Sequence, residues 1–247
     1  MVLAGMQPYF FPYLGYFGLI KHSDIFILAD NVQFIEGGWI RRNRILKPGG
    51  GWHYIGVPLV KCSHKTIICE MTINNREPWR EKIFRQLQHY RKKAPYFQEV
   101  IRFLENAFSK ETESISDLNA HLLAETCRYL GISFNPEIFS CMTVAVKKAQ
   151  APDEWALNTC KALGAHTYIN PMGGTEFYDP GKYARSGINL QFLKINLCPY
   201  DQKNDSFESG LSILDVMMFN SPGQILEMLD DVEFLHTVCV VPRQASA

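Results

Sequence analysis

The first 34 residues alternate between short apolar runs and a polar loop that contains prolines. Apolar positions fill residues 1–6 and 24–29, which predicts two strands, and a loop and one short helix lie between them. A strand, a loop, a helix and a second strand in this order indicate a parallel βαβ unit. Ligands of such units bind where the loop leaves the first strand. We therefore expect the functional site in the loop that follows residue 6.

The middle of the chain predicts a hairpin followed by helices. Residues 52–60 and 66–73 are rich in aromatic and β-branched side chains, which favours two paired strands. From residue 79 to about residue 130, apolar positions recur at steps of three and four, which indicates three amphipathic helices. The predicted boundaries are Pro95 between the first two helices, a cap at Ser114 or Ser116, and an end at Gly131.

The final third returns to alternating strands and helices. The predicted elements are a weak strand at 137–141, a helix at 153–163 ending at Gly164, a strand at 167–169, a turn-rich loop at 170–179, a strand at 188–195, and helices at 212–219 and 224–229. The predicted fold class is α/β, a Rossmann-like parallel sheet with a helical insertion or subdomain. We expect one domain over residues 1–240, with the insertion at about 79–130, and a disordered tail at 241–247.

The composition limits the classes of function. Lys and Arg total 25, as do Asp and Glu, so no overall charge directs the chain to nucleic acid. Each of the seven cysteines occurs singly, which favours reduced thiols in the cytoplasm and argues against a zinc site. No unbroken apolar run reaches the roughly 18 residues of a membrane span. We expect a cytoplasmic protein without a metal, a membrane span or a nucleic-acid partner.

The loop after the first predicted strand carries side chains that hydrogen-bond or stack. The candidates for substrate or nucleotide binding are Gln7, Tyr9, Tyr13, Gly15 and Tyr16. A helix that begins here directs its free N–H groups at an anion, and Gly15 allows close approach of the backbone. The layout is similar to that of nucleotidyltransferases with a HIGH motif, with Tyr13 and Tyr16 in place of histidines. Because phenols carry no positive charge, this similarity implies binding rather than catalysis; an aromatic core cluster is the alternative.

The end of the second predicted strand adds an acid and a basic segment. Asp30 stands where ligands of parallel sheets bind, so we predict that it is catalytic and helps to remove a proton from an attacking amine. A simple turn residue is the alternative. The binding candidates that follow are Gln33, Trp39, Arg42 and Asn43. Arg42 would neutralise a phosphate, unless the basic segment is only a solvated loop.

His64 is the second predicted catalytic residue. It lies between Lys61 and Lys65, and nearby cations disfavour protonation of an imidazole, which suits a neutral base. Lys61 is a predicted binding residue that neutralises charge on the ligand.

The later loops supply further binding candidates and helix caps. The binding candidates are Gly173, Gly174, Tyr178 and Gln202. Two successive glycines followed by a hydroxyl group resemble a small anion nest, although such pairs are also ordinary turn formers. Ser212 and Asp215 are predicted to serve a helix N-terminus, as its cap and its first-turn acid.

Several segments together resemble the WbqC-like proteins. They are MQPYFFPYLGYFGLI, DIFILADNVQF with Trp39 and Asn43, GWHYIGVPLVK, PMGGTEFYD, and SILD with Tyr200, Gln202 and Phe207. The resemblance spans nearly the whole chain. Members of this family are associated with bacterial O-antigen and other surface-glycan gene clusters, so the resemblance implies a role in polysaccharide biosynthesis.

The leading hypothesis is a transferase of surface-glycan or amino-sugar biosynthesis. The reaction would be acyl or aminoacyl transfer to an amine of a small-molecule substrate, such as a nucleotide-linked sugar. The candidate cofactors are ATP, for nucleotide-dependent activation, and an acyl-CoA. The alternative is a non-catalytic sugar-binding or scaffolding protein of a glycan-assembly complex, in which aromatic side chains stack on sugars.

Overall fold

The first two apolar runs form adjacent parallel strands, as the βαβ pattern predicts. The structure, a computed structural model, describes residues 1–236. Strand β1 (Val2–Met6) is followed by helix α1 (Leu14–Lys21) and strand β2 (Ile25–Leu28). β1 and β2 pair from Leu3 opposite Ile25 to Met6 opposite Leu28. The predicted tail at 241–247 lies outside the described residues.

The remaining elements complete one main sheet, a separate two-stranded sheet of β3 and β4, and the helices. The strands are β3 (Arg42–Leu46), β4 (Trp52–Gly56), β5 (Glu137–Ile138), β6 (Thr167–Pro171), β7 (Asn189–Ile195) and β8 (Val232–His236). The helices are α2 (Trp79–Leu87), α3 (Phe97–Ala107), α4 (Ile115–Leu130), α5 (Glu154–Leu163), α6 (Pro180–Arg185), α7 (Ile213–Phe219) and α8 (Pro222–Asp230). This order of strands and helices confirms the predicted α/β class.

The main sheet changes its direction of winding at β1. Its strand order is β5-β2-β1-β6-β7-β8, and every pair is parallel except β7 with β8. The chain therefore adds β2 and β5 on one side of β1, and β6 and β7 on the other. In open α/β sheets, ligands bind outside the carboxyl ends of the strands at such a switch point. The loop after β1 starts at this edge.

The predicted hairpin has a different partner from the one expected. β4 pairs in antiparallel fashion with β3, so the basic segment predicted as a loop is a strand. The expected partner, residues 66–73, contains a 3₁₀ turn at Ile68–Glu70 instead. Gly49, Gly50 and Gly51 have φ values of 85°, 104° and 68°. Because glycine adopts this left-handed region without steric cost, the chain turns back directly from β3 to β4.

The helical segment follows the predicted periodicity and boundaries. The side chain of Ser114 caps α4 by accepting a hydrogen bond from the backbone N–H of Asp117, at 3.2 Å. Gly131 ends the helix in the left-handed conformation, and Gly164 ends α5 in the same way. The apolar faces of α2, α3 and α4 pack into the same core as α1, α7 and α8.

Helix α1 is buried on every side, because residues 14–20 are almost entirely apolar. It packs against β6, β7 and α8. Its last residue, Lys21, reaches the surface and pairs with Asp230 at 2.6 Å. None of the helices within residues 1–236 has the length and apolarity that a bilayer crossing requires.

Candidate functional site

The loop between β1 and α1 is held by polar groups from distant elements. Asn119 of α4 is completely buried, and its Nδ2 donates to the carbonyl oxygens of Pro8 at 2.8 Å and Ile40 at 2.7 Å. The hydroxyl of Tyr16 donates to the carbonyl oxygen of Gln7 at 2.9 Å. A buried carbonyl without such a donor would cost about 1–3 kcal/mol, so these bonds fix the path of the loop.

The backbone of the same loop is strained at Phe11, whose φ is 39°. This value is uncommon for a bulky residue and costs about 1–3 kcal/mol. The carbonyl oxygen of Phe11 accepts hydrogen bonds from Asn43 Nδ2 at 2.9 Å and Ser212 Oγ at 2.8 Å. Asn43 Nδ2 also bonds the carbonyl oxygen of Phe10 at 3.1 Å. Strain that is held by several partners is typical of functional sites.

The braced loop forms one wall of a cavity of about 240 Å³, which we call the aromatic groove. Its lining residues are Tyr9, Pro12, Tyr13, Trp39, Asn43, Arg44, Leu197 and Gly210. The groove lies at the carboxyl edge of the main sheet, since its walls include the segments that follow β1 and β7. A mostly apolar cavity with a few polar groups is the usual form of a small-molecule site.

The polar side chains of the aromatic groove are one cation, two phenols and the amide of Asn43. The Arg44 guanidinium lies 5.4 Å from the centroid of the Trp39 ring, and its Nη2 donates to the carbonyl oxygen of Gly210 at 3.0 Å. Burial raises the pKa of Tyr9 and Tyr13, and the neighbouring phenol adds to the effect at Tyr9. Both hydroxyls are therefore neutral near pH 7. The groove can stack on a ring, donate hydrogen bonds and attract an anion.

Four of the sequence-predicted binding residues meet in the aromatic groove: Tyr9, Tyr13, Trp39 and Asn43. Gly15 contributes indirectly, because a Cβ atom at this position would overlap the Tyr13 ring. The ring can lie over α1 only if residue 15 has no side chain. Gln7 leads into the loop and is half-buried.

Tyr16 lies outside the groove, in the core. It is 1% exposed, and its ring centroid lies 5.3 Å from that of Phe26 and 5.6 Å from that of Tyr9. The aromatic core cluster that the sequence left open as an alternative therefore describes Tyr16, whereas Tyr9 and Tyr13 face the cavity.

Asp30 connects three elements at the end of β2. It is 1% exposed, and its carboxylate accepts hydrogen bonds from Ser116 Oγ at 2.9 Å, from the Ser140 backbone N–H at 2.9 Å and from Ser140 Oγ at 2.7 Å. A general base must reach the proton that it removes. Through these partners Asp30 joins β2 to α4 and to the turn at Phe139–Cys141, and its catalytic role stays a prediction.

His64 and Lys61 lie in a second cavity, of about 400 Å³, that shares no lining residue with the aromatic groove. Both side chains are exposed. Gln33 Nε2 donates to the backbone oxygen of His64 at 2.7 Å and so fixes this loop. Among residues 1–236, no carboxylate lies within 4.0 Å of the His64 ring. The catalytic role of His64 stays a prediction.

The loop after β6 forms a 3₁₀ turn, Met172–Phe177, that includes Gly173 and Gly174. A Cβ atom on Gly174 would overlap the Asn170 amide, so a side chain here would displace that amide. The hydroxyl of Tyr178 donates to Asn170 Oδ1 at 3.1 Å. The turn lies at the same sheet edge as the aromatic groove, because β6 is the parallel neighbour of β1. An anion nest here stays a prediction.

Asp215 lies in the first turn of α7, as predicted, but sequence reasoning missed that it is the buried centre of a hydrogen-bond network. It is 0% exposed and accepts hydrogen bonds from Tyr200 OH at 2.6 Å, from Gln202 Nε2 at 3.1 Å and from the hydroxyl of Tyr90. Burial raises the pKa of Asp215 to about 6. Gln202, a predicted binding residue, belongs to this buried network. Only Ser212 caps α7, as predicted.

Asp215 should make the stability of the protein fall as the pH rises from about 4 to about 6. In this range Asp215 keeps its proton in the folded chain and releases it in the unfolded chain, because folding raises the pKa of Asp215 from 3.8 to about 6. This difference in pKa between the folded and the unfolded chain corresponds to about 3 kcal/mol in the free energy of unfolding. That contribution is fully present below pH 3.8 and lost above pH 6. Burial also raises the pKa of Tyr90 and Tyr200, so both phenols stay neutral throughout.

Urea unfolding at pH 4, 5, 6 and 7 measures this dependence. The control is Asp215→Asn, which cannot titrate and should lose this fall in stability between pH 4 and pH 6. Equal slopes in the two proteins would contradict the assignment.

A family model and a known protein both match most of the chain. The model described as "WbqC-like protein family" matches residues 7–227. The chain is similar to "Uncharacterized protein Rv1507c" of Mycobacterium tuberculosis (strain ATCC 25618 / H37Rv), with 29% identity over 221 residues, which cover 88% of this chain and 93% of the relative. No solved structure matches the chain. The matched region contains the braced loop and every residue of the aromatic groove.

Proposed function

Since the chain belongs to the WbqC-like protein family, we propose that it is a bacterial transferase of surface-glycan or amino-sugar biosynthesis, acting in the cytoplasm. The substrate is an amino sugar or a nucleotide-linked sugar, and the reaction is acyl or aminoacyl transfer to its amine. The donor is activated by ATP or supplied as an acyl-CoA. The six cysteines among residues 1–236 form no disulfide with one another, which is compatible with a reducing compartment such as the cytoplasm.

The aromatic groove is the observation that carries this proposal. Tyr9 and Trp39 offer ring faces, Tyr13 offers a hydroxyl, and Arg44 offers a positive charge at one edge. A sugar ring has apolar faces and a polar rim, so it fits a cavity with aromatic walls and few donors. The braced backbone supports the same interpretation, because a rigid loop loses little entropy when a ligand binds.

A second candidate function is a sugar-binding or scaffolding protein without catalysis. The specific observation in its favour is the chemistry of the groove lining, which contains no carboxylate and no imidazole. Amine attack on an acyl donor requires removal of a proton, and the raised pKa values of Tyr9 and Tyr13 make them poor bases near pH 7.

Trp39→Ala should weaken the binding of a sugar ligand about tenfold, because the variant removes one stacking wall of the groove. Trp39 is 36% exposed, so the fold should tolerate the change. Isothermal titration calorimetry with UDP-N-acetylglucosamine and with glucosamine measures the affinity. The matched control is Phe177→Ala, which removes an exposed aromatic ring outside the groove lining. Equal losses in both variants, or none in Trp39→Ala, would contradict the assignment of the groove.

Mass spectrometry separates the enzyme from the binding protein. The protein is incubated with an amino sugar, glycine and ATP, and separately with the amino sugar and acetyl-CoA. A mass increase that matches an amide, formed more slowly by Trp39→Ala, is the result expected of the transferase. Binding of the sugar without any product in either mixture would favour the second candidate.

A further inference from the structure

The β3–β4 hairpin presents a face of arginine and aromatic side chains. Side chains alternate across a strand, so Arg42 and Arg44 of β3 share one face with Trp52 and Tyr54 of β4. The opposite face packs into the core through Ile45 and Ile55, both of which are 0% exposed. The hairpin therefore has one apolar face that holds it in place and one face that is open.

The open face is an exposed aromatic surface with stacked cations. Trp52 is 38% exposed and Tyr54 is 36% exposed, and their ring centroids lie 5.0 Å apart. The guanidinium of Arg44 lies 5.2 Å from the Trp52 ring centroid, and that of Arg42 lies 4.0 Å from the Tyr54 ring centroid. Exposed apolar patches with a polar rim mark interaction sites.

The two arginines have no acidic partner. Among residues 1–236, neither Arg42 nor Arg44 forms an ion pair. The Nε atom of each is buried without a hydrogen-bond acceptor, and Arg42 Nη2 donates only to the carbonyl oxygen of Gly37, at 2.5 Å. A guanidinium stacked on a ring can still bind an oxyanion through its edge. Nη1 of each guanidinium also has no hydrogen-bond partner within residues 1–236 and, unlike Nε, is not buried, so this free donor indicates an anionic ligand.

The hairpin face also joins two cavities. Arg44 lines the aromatic groove, while Arg42 and Tyr54 line a neighbouring cavity of about 400 Å³. The cavity beside Arg42 and Tyr54, which is distinct from the one that holds His64, is also lined by Arg41, Lys82 and one acid, Glu77. Its lining therefore carries a net positive charge. A ligand longer than one sugar ring could occupy the groove and reach the arginines of the hairpin.

We propose that the hairpin face binds the anionic part of a saccharide whose sugar ring occupies the aromatic groove. The inference deepens the proposed function and rests on it, because the ring site is the groove. The ligand class is a saccharide with a phosphate or carboxylate group, and that group lies against Arg42. Tyr54, which lies opposite Arg44 in the hairpin, contacts the portion between the ring and the anion.

Calorimetric titration with three probes tests the proposal. The probes are UDP-N-acetylglucosamine, which carries a diphosphate, a disaccharide of glucuronate and N-acetylglucosamine, which carries a carboxylate, and the neutral disaccharide of N-acetylglucosamine. The variants are Arg42→Gln and Tyr54→Leu. The control is Arg102→Gln, which removes the same charge from an exposed position of α3.

At least one anionic probe should bind wild type about tenfold more tightly than the neutral disaccharide. Arg42→Gln should remove this preference, and Arg102→Gln should keep it. Whichever anionic probe shows the preference identifies the phosphate or the carboxylate as the recognised group. The affinity of that probe should also fall as salt increases, since exposed charges are screened.

Two results would overturn the proposal in distinguishable ways. If the neutral and anionic probes bind equally and Arg42→Gln changes neither affinity, the hairpin inference is wrong and the groove proposal stands. If no saccharide binds wild type, both are wrong. Binding of a single-stranded oligonucleotide that depends on Arg42, without binding of any saccharide, would also overturn both and assign the face to nucleic acid.

Discussion

Asp215→Ala should lower the free energy of unfolding by about 4 kcal/mol. The change removes the shared acceptor of three donors, Tyr90 OH, Tyr200 OH and Gln202 Nε2. Tyr90 and Gln202 are almost fully buried, so water cannot replace the lost carboxylate at low cost. Urea or thermal unfolding, followed by circular dichroism, measures the effect.

Two further variants distinguish the stability lost with the Asp215 hydrogen bonds from the stability lost when any aspartate is replaced. Asp215→Asn keeps an acceptor oxygen in nearly the same shape, so we expect it to recover at least half of the loss. Asp205→Ala changes an exposed aspartate in the segment before α7 and should alter stability by less than about 0.5 kcal/mol. A small effect of Asp215→Ala would show that the buried carboxylate does not hold these elements together.

Asn119→Ala should lower the free energy of unfolding by about 4 kcal/mol and weaken ligand binding in the aromatic groove. Asn119 Nδ2 donates to two buried carbonyl oxygens, those of Pro8 and Ile40, and an alanine would leave both without a donor. Pro8 adjoins Tyr9, and Ile40 adjoins Trp39, so both walls of the groove depend on this one amide. Chemical unfolding and sugar titration on the same sample measure the two effects.

The control for Asn119→Ala is Asn106→Ala, at an exposed position of α3. Since the exposed side chain bonds to water, its removal should leave both stability and binding nearly unchanged. Asn119→Ala could lose stability yet bind the sugar with full affinity at a temperature where the variant is folded. The Asn119 amide would then have no role in ligand binding by the groove. That result would contradict the bracing role.

Much of the fold could be predicted because its signals are local. The alternation of strands and helices, a helix cap at Ser114 or Ser116 and the helix ends at Gly131 and Gly164 all follow from neighbouring residues; the structure confirms them, with Ser114 as the cap. The partner of β4 could not be predicted in this way. The sequence offered only residues 66–73 as its partner, whereas the observed partner is the basic segment before it, and that pairing depended on the turn at residues 49–51.

The candidate site could be predicted only in part. The loop after β1 was expected at the ligand edge of the sheet, and Tyr9, Tyr13, Trp39 and Asn43 do meet there. Arg44 was not selected, because nothing in a run of basic residues tells which one turns toward the loop. Asp30 has the chemistry of a base, and in the fold its carboxylate is hydrogen-bonded by Ser116 and Ser140. These partners lie far from Asp30 in the sequence, so no local pattern predicts them.

The sequence by itself determined the α/β class, most of the order of the elements and the position of the candidate loop after β1, whereas β3, α6 and β8 were not predicted. Hydrophobic period, capping residues and turn formers act over a few residues, so they can be recognised without a fold. Only the tertiary structure decided which distant side chains meet. Tyr90 bonds Asp215 across 125 positions, and Arg44 bonds Gly210 across 166. Such contacts arise from the packing of whole elements, and that packing turned a polar loop and a basic strand into an aromatic groove beside an arginine-rich hairpin.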